Sequence, residues 1–403
     1  MHFISKAAAF ILTCFFTGLG GAFFYPLSTL YMVKVLGASP MQLTLFLVST
    51  IITGMLISQR LARYSDYAGW PRKKIVMISL ACYSVTVFVC AFNTNYWLAL
   101  AVAIVINGFS AAAFPQIFAL AREYGDKHFS SRSTLFMSTA RASIALAWVC
   151  GPPLAFSMQS AFGFRYTFLA AAAITCITIT VVWLFLPNNI CQTVEVPTDE
   201  DKTEQEPDRP WYLQFQIMSF LLATTLMFFA NNLYVNGLAL YLTEVRQIDS
   251  AWTGYLMGVA AAIEIPIMLT VGMLAIRLGN RPIIQFGLMC GALFYYVMQQ
   301  RLEPEQMVQI QLLNGIFVGI IATLAMVEMQ NMMRKYMGIG TTLFNNAMLC
   351  SNLLTSFSLG IVGRYFGYQA IFIIGMYACF AAMLCLMLPK IRQYIQANKQ
   401  QTA

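Results

Sequence analysis

The stretch 188–210, NNICQTVEVPTDEDKTEQEPDRP, decides how the chain is organised. It holds seven acids (Glu195, Asp199, Glu200, Asp201, Glu204, Glu206 and Asp208) and no apolar run. Such a composition reads as a solvated, disordered linker. Everything around it is the opposite. The chain of 403 residues is 59% hydrophobic and only 10% charged, where a soluble protein carries about 25% charged residues. With seven of the 16 acids confined to one linker, too little charge remains to coat a soluble body of this size. That excludes an ordinary cytosolic enzyme, a disordered chain and a nucleic-acid binder. The net charge of +8 does not restore the last class, because the basic residues are scattered through loops and form no stripe.

Outward from the linker, six long apolar runs lie on each side. Their approximate ranges are 7–31, 41–60, 74–92, 97–120, 133–158 and 165–186, then 211–243, 251–276, 282–299, 307–329, 338–362 and 367–388. A membrane helix needs about 20 such residues. Turn formers and charges separate the runs, among them Gly37-Ala38-Ser39-Pro40, Asn93-Thr94-Asn95, Gly279-Asn280 and Glu303-Pro304-Glu305. The first run is too long for a signal-peptide core and is expected to stay as a span. Most of the ten cysteines lie inside apolar runs and no CxxC pair occurs, so they act as small hydrophobes.

The basic residues orient the spans. With both termini in the cytoplasm, 18 of the 24 lysines and arginines fall on the inner side and five (Lys34, Arg165, Arg246, Arg301, Arg364) on the outer. The two sets of six also resemble one another in parallel. Asn107-Gly108 returns as Asn314-Gly315, and Ser133-Thr134-Leu135-Phe136 as Thr341-Thr342-Leu343-Phe344. Phe162-Gly163-Phe164 returns as Phe366-Gly367-Tyr368, and Leu186-Pro187 as Leu388-Pro389, at offsets of 202 to 208 residues. The expected architecture is an all-α integral membrane protein of twelve transmembrane helices in two parallel six-helix repeats, with halves at 1–187 and 211–403 and the linker at 188–210. Parallel six-span repeats are the design of the major facilitator fold, which the chain resembles.

That resemblance implies a gating element between spans two and three, where the family carries Gly-x-x-x-Asp, then Gly, then a basic pair. Here Ala62 replaces the first glycine, followed by Asp66, Gly69, Arg72 and Lys73. The expectation is an Asp66–arginine contact, made when the cytoplasmic side closes. The competing account is a positive-inside loop with one incidental acid. The second-half counterpart, Arg277-Leu278-Gly279-Asn280-Arg281, lacks the acid.

Four strings carry a narrower resemblance: PQIFALAREY (115–124), AWVCGPPLAF (147–156), EIP (264–266) and TTLFNN (341–346). Together they resemble the bacterial sugar efflux transporter family. The resemblance implies export of sugars or sugar-like glycosides against an inward proton flow, from the bacterial inner membrane. Gly151-Pro152-Pro153 is similar to the exporter-type motif of the superfamily, without its full glycine set.

Ionisable groups inside a span are costly and are functional candidates. Two are clear, Arg141 in span five and Glu264 in span eight; Glu328 sits near the cytoplasmic end of span ten. Glu264 is the candidate proton carrier and a candidate substrate contact, since burial favours a neutral carboxyl and Pro266 loosens the helix beside it. Arg141 keeps its charge and is expected to serve both coupling and substrate. Trp148, seven residues on, shares its helix face. A guanidinium donor beside an aromatic plane suits hydroxyls and the C–H face of a sugar, although a structural arginine with a packed tryptophan explains the same pair. Amides form a third set: Asn231, Asn232 and Asn236 in span seven, Asn345, Asn346 and Asn352 in span eleven, and the repeat-related Asn107 and Asn314. Amides both donate and accept, and so read hydroxyls without requiring a charged ligand. The alternative for each is hydrogen bonding between helices.

The expected partners are therefore a small-molecule sugar or glycoside, the proton and the lipid bilayer, with a monomer as the working unit. No nucleic acid, metal or cofactor is implied. A proton-coupled exporter of drugs or other small solutes is the alternative. With only His2 and His128 available, both outside the apolar runs, no metal-ligand set or Ser/His pair supports an enzyme.

Overall fold

The computed structural model describes residues 2–67, 70–129, 133–187, 211–333 and 337–401; the linker lies outside them. Every regular element among the described residues is helical. Before the linker come α1 (His2–Lys34), α2 (Pro40–Tyr67), α3 (Arg72–Phe92), α4 (Tyr96–Val102), α5 (Gly108–Ser110), α6 (Ala113–Phe129) and α7 (Ser133–Phe185). After it come α8 (Phe215–Leu240), α9 (Ala251–Leu278), α10 (Asn280–Met298), α11 (Pro304–Met332), α12 (Met337–Tyr365) and α13 (Ala370–Gln401). A π-helical turn at Ala103–Asn107 joins α4 to α5, and with α6 they form one segment, Tyr96–Phe129.

Among the described residues, ten segments are long and apolar enough to cross a membrane. One of them, Thr139–Phe185, is two spans, because α7 breaks at Gly163 with φ 82°. The twelfth is α10, whose 19 residues reach about 28 Å at 1.5 Å per residue. The protein is a multi-pass membrane protein of twelve helices.

The breaks expected from the sequence are built as caps. Ser39 and Gln42 exchange backbone and side-chain hydrogen bonds before α2. The Asn95 carboxamide accepts from the Trp97 and Leu98 amides. Glu303 and Gln306 form a capping box around Pro304. Each satisfies amides that no helical turn can reach. The turns joining spans five to six and eleven to twelve share a left-handed glycine, Gly163 at φ 82° and Gly367 at φ 74°. The repeated Phe-Gly-aromatic string is thus a repeated backbone conformation that favours glycine.

The helices form two compact units. The first holds spans one to six together with Ala239–Gly258; the second holds the rest of the C-terminal half. In the first, α1 and α3 pack chiefly on α7. Gly18 and Gly151 allow the α1–α7 approach, each with space taken by an alanine opposite (Ala147 and Ala22). Small residues of this kind let membrane helices come close. In the second, α10 packs on α11 and α13. One tertiary hydrogen bond is repeated: the Tyr83 hydroxyl donates to the Gly20 carbonyl at 2.5 Å, and the Tyr295 hydroxyl to the Ala230 carbonyl at 2.7 Å.

Candidate functional site

The first unit encloses a cavity of about 30 Å³ lined by Thr17, Gly21 and Tyr25 of α1, Leu80 and Tyr83 of α3, Ser110, Ala113 and Phe114 of span four, and Thr175 of span six. It has no ionisable carboxylate or amine. Asn107 lies beside it, 4% exposed, and takes the Ser110 hydroxyl on its carboxamide oxygen at 3.0 Å and on its carbonyl at 2.7 Å. The π-helical turn that ends at Asn107 adds a residue to this stretch of helix, a local irregularity common at functional positions.

The other amides occupy different settings. Asn232 donates to the Ser351 hydroxyl at 3.0 Å, and Asn236 to the Asn232 carbonyl at 2.9 Å. Asn231 is half-buried on the same helix. Asn314 is 2% exposed. It donates to Gln311 at 3.1 Å, and the same Gln311 oxygen accepts the Tyr234 hydroxyl at 3.0 Å. On α12, Asn345 and Asn346 are exposed, while Asn352 is half-buried and its carbonyl accepts the Ser356 hydroxyl.

The two intramembrane charges lie in different units. Arg141 is exposed, with its guanidinium 5.7 Å from the centre of the Phe118 ring, within reach of a cation–π contact. Trp148, half-buried, lies two turns further along the same helix. Glu264 is half-buried and makes no ion pair with any described residue.

At the side expected to be cytoplasmic, Arg72 donates to Glu123 at 2.6 Å and to Gln116 at 3.2 Å. Lys73 donates to the carbonyls of Trp183 and Leu186 at 2.9 and 2.7 Å, where the last carbonyls of span six, beyond the helical ladder, attract a cation. Gly69 and the side chain of Asp66 lie outside the described residues. In the second unit Arg281 binds Glu328 at 2.7 Å, and Asn280 binds the same carboxylate at 3.0 Å. The acid missing from that loop is thus supplied by span ten, as Glu123 of span four supplies it to Arg72.

At the opposite side, Ala239–Gly258 is tied into the first unit by polar contacts. Lys34 pairs with Glu244 at 2.6 Å, Ser160 donates to Asp249 at 2.7 Å, and Ser250 donates to Gln159 at 2.5 Å. Next to them α9 lies directly on the span-five prolines. A Cβ at Gly254 would meet the Pro152 carbonyl oxygen at 2.6 Å, and one at Gly258 would collide with the Pro153 ring.

A family model, Major Facilitator Superfamily, matches residues 10–348. The chain belongs to the major facilitator superfamily. Within it, the relatives are sugar efflux transporters. Sugar efflux transporter C of Escherichia coli (strain K12) is 34% identical over 392 residues, covering 95% of this chain and 96% of that protein. Sugar efflux transporter A of Dickeya chrysanthemi is 32% identical, with 94% of each covered. Among solved structures, the nucleoside transporter NupG aligns with a TM-score of 0.75 at 14% identity, over 96% of this chain and 99% of its own. A bacterial homologue of the iron transporter ferroportin, in an inward-facing state, gives a TM-score of 0.73 at 14% identity, over 95% and 98%. These likenesses establish the fold.

For a transporter of this superfamily, the cavity residues are what sequence inspection missed. Thr17, Tyr25, Tyr83, Ser110 and Thr175 are uncharged and sit inside apolar runs, where hydroxyls commonly bond their own helix. The repeat held the available signal: where the first half has Thr17 and Ser110, the second has Met227 and Phe317, 210 and 207 residues later.

Proposed function

We propose that the protein exports sugars or sugar-like glycosides from the bacterial cytoplasm by alternating access, as a monomeric proton antiporter of the inner membrane with both termini inside. The observation that carries this is the 34% identity to Sugar efflux transporter C, sustained over nearly the full length of both chains. The chemistry of the chain agrees with a neutral, hydroxyl-rich cargo. Its candidate contacts are mostly amides, with one arginine and one tryptophan. Asn231, Asn232 and Asn236 supply donors and acceptors from α8, and Arg141 with Trp148 supplies a charged donor beside an apolar plane. Asn107, Asn314, Asn345, Asn346 and Asn352 complete the set. Glu264 carries the proton. It is a half-buried carboxylate, unpaired among the described residues, two positions before Pro266 on α9. Asp66, Gly69, Arg72 and Lys73 act at the cytoplasmic gate.

The test is flux of a panel of labelled sugars from reconstituted vesicles, with and without an imposed proton gradient. Saturable sugar flux that collapses with the gradient is expected. Flux of amphiphilic drugs, with sugars inert, would replace this function by the drug-exporter alternative. Changing Asn231, Asn232 and Asn236 together to alanine abolishes sugar export under the present proposal and spares drug export under that alternative.

A further inference from the structure

The cavity of the first unit differs from its repeat-related counterpart in the second. The repeated tyrosine bonds, Tyr83 to Gly20 and Tyr295 to Ala230, superpose the surrounding helices in sequence. At the positions of Thr17 and Ser110 the second half carries Met227 and Phe317, both 0% exposed. The Phe317 ring presses on Gly291, where a Cβ would meet it at 2.8 Å, and stands edge-on to Tyr295 at 6.4 Å. At these two positions large buried side chains fill the second half where the first half carries small hydroxyls.

The open space is uncharged and mostly apolar, with the hydroxyls of Thr17, Ser110 and Thr175 on its wall. Ser110 gives its proton to Asn107, Thr175 to the Ala171 carbonyl at 2.8 Å, and Tyr83 to Gly20. Hydroxyls whose protons are committed still accept. The Thr17 hydroxyl is buried without a hydrogen-bond partner among the described residues and has its proton to donate. A buried polar atom left unpaired is costly, so the cavity favours an occupant that brings a hydroxyl. The aromatic walls, Tyr25, Tyr83 and Phe114, suit a carbon beside that hydroxyl. The volume admits about two water-sized groups, and Tyr25 is the most exposed lining residue at 39%.

We propose that this cavity is a subsite for the exocyclic hydroxymethyl arm of a hexopyranose, one carbon and one oxygen, with Thr17 donating to the arm's oxygen and Ser110 or Thr175 accepting its proton. The inference rests on the sugar-export proposal and adds a specificity to it. The exporter selects hexoses over the pentoses that lack only this arm.

The experiment measures efflux of labelled glucose, 6-deoxyglucose and xylose, and of galactose, 6-deoxygalactose and arabinose, from vesicles containing the full chain. The wild type is expected to favour a hexose over its armless pentose by about tenfold in KM, the scale of one hydroxyl's hydrogen bonds. Thr17→Val keeps the shape, and should raise KM for the hexose several-fold while leaving the 6-deoxy sugar unchanged. Ser110→Phe copies the second half and should erase the preference for hexose over pentose. Ser110→Ala, which cannot overpack the site, should weaken that preference if Ser110→Phe fails to fold. Equal KM for hexose and pentose in the wild type overturns the subsite. So does an unchanged preference in Thr17→Val and Ser110→Ala, or a fall in maximal rate alone, which is the mark of a water-filled structural void. No efflux of any sugar by the wild type instead defeats the export proposal, and the subsite falls with it.

Discussion

At the scale of single residues, the buried polar groups divide into those that are spent and those that are available. Asn314 is spent. Gln311 receives both its amide and the Tyr234 hydroxyl, and all three lie within the packed second unit. Gln311→Ala leaves two buried donors unpaired, at about 1 to 3 kcal/mol each, so thermal unfolding in detergent should begin at a clearly lower temperature. A variant that unfolds like the wild type would show that water replaces the network at no cost. Glu264 is available, with no ion pair among the described residues. Glu264→Gln keeps a neutral side chain of the same size. It is expected to bind sugar as the wild type does and to lose export driven by a proton gradient. A variant that still concentrates sugar against its gradient would remove Glu264 as the carrier. Arg141 and Glu264 stand out in the sequence as candidates because charge in an apolar run is conspicuous. Thr17 and Ser110 were not, because a hydroxyl in such a run usually satisfies itself on its own helix, and only the packing of four helices sets these two apart.

At the scale of the elements, the twelve spans and their breaks could be read directly. Hydrophobic length identified the helices, and Ser39, Asn95 and Glu303-Pro304 marked their beginnings. The partners of the loop arginines could not be read, since Glu123 and Glu328 lie 51 and 47 residues from Arg72 and Arg281, and nothing local joins them. The repeats also fix backbone conformation. Gly163 and Gly367 occupy left-handed φ at equivalent turns, as Gly37 does in the first outer connection. At the position equivalent to Gly37 the second half has Gln247, at φ 54°. A side chain in this region costs about 1 to 2 kcal/mol. Gly163 also has ψ 171°, a region essentially closed to other residues, so Gly163→Ala should destabilise by at least that amount and Gly367→Ala by about it, whereas Gln247→Gly, relieved of the strain, should be neutral or stabilising. Equilibrium unfolding in detergent measures all three, and a stabilising Gly163→Ala would contradict the left-handed geometry of that hinge.

At the scale of the whole molecule, the alternating-access cycle proposed above would need contacts that form and break once per cycle, and such contacts would be weak. The ties of Ala239–Gly258 to the first unit have that character. Lys34 and Glu244, at the ends of spans one and seven, are 210 residues apart and so are repeat-equivalent. Their side chains are 43% and 32% exposed, and an ion pair this wet contributes about 1 kcal/mol at most. By contrast Arg281 and Glu328, at 21% and 12% exposed, are sheltered enough to serve as a lasting tie. Beside Lys34–Glu244, the glycine faces of α9 rest on Pro152 and Pro153. If this cluster closes the outer side, its charge pair can be exchanged but not made alike. Lys34→Glu sets two acids against each other, and Glu244→Lys two bases. Each should slow sugar export several-fold by favouring the outward-open state, with sugar affinity little changed. The double exchange restores the pair in reverse and should recover most of the flux, because the interaction depends on opposite sign and not on which helix carries it. Double-exchange vesicles as slow as the single variants would place the Lys34–Glu244 contact outside the transport cycle.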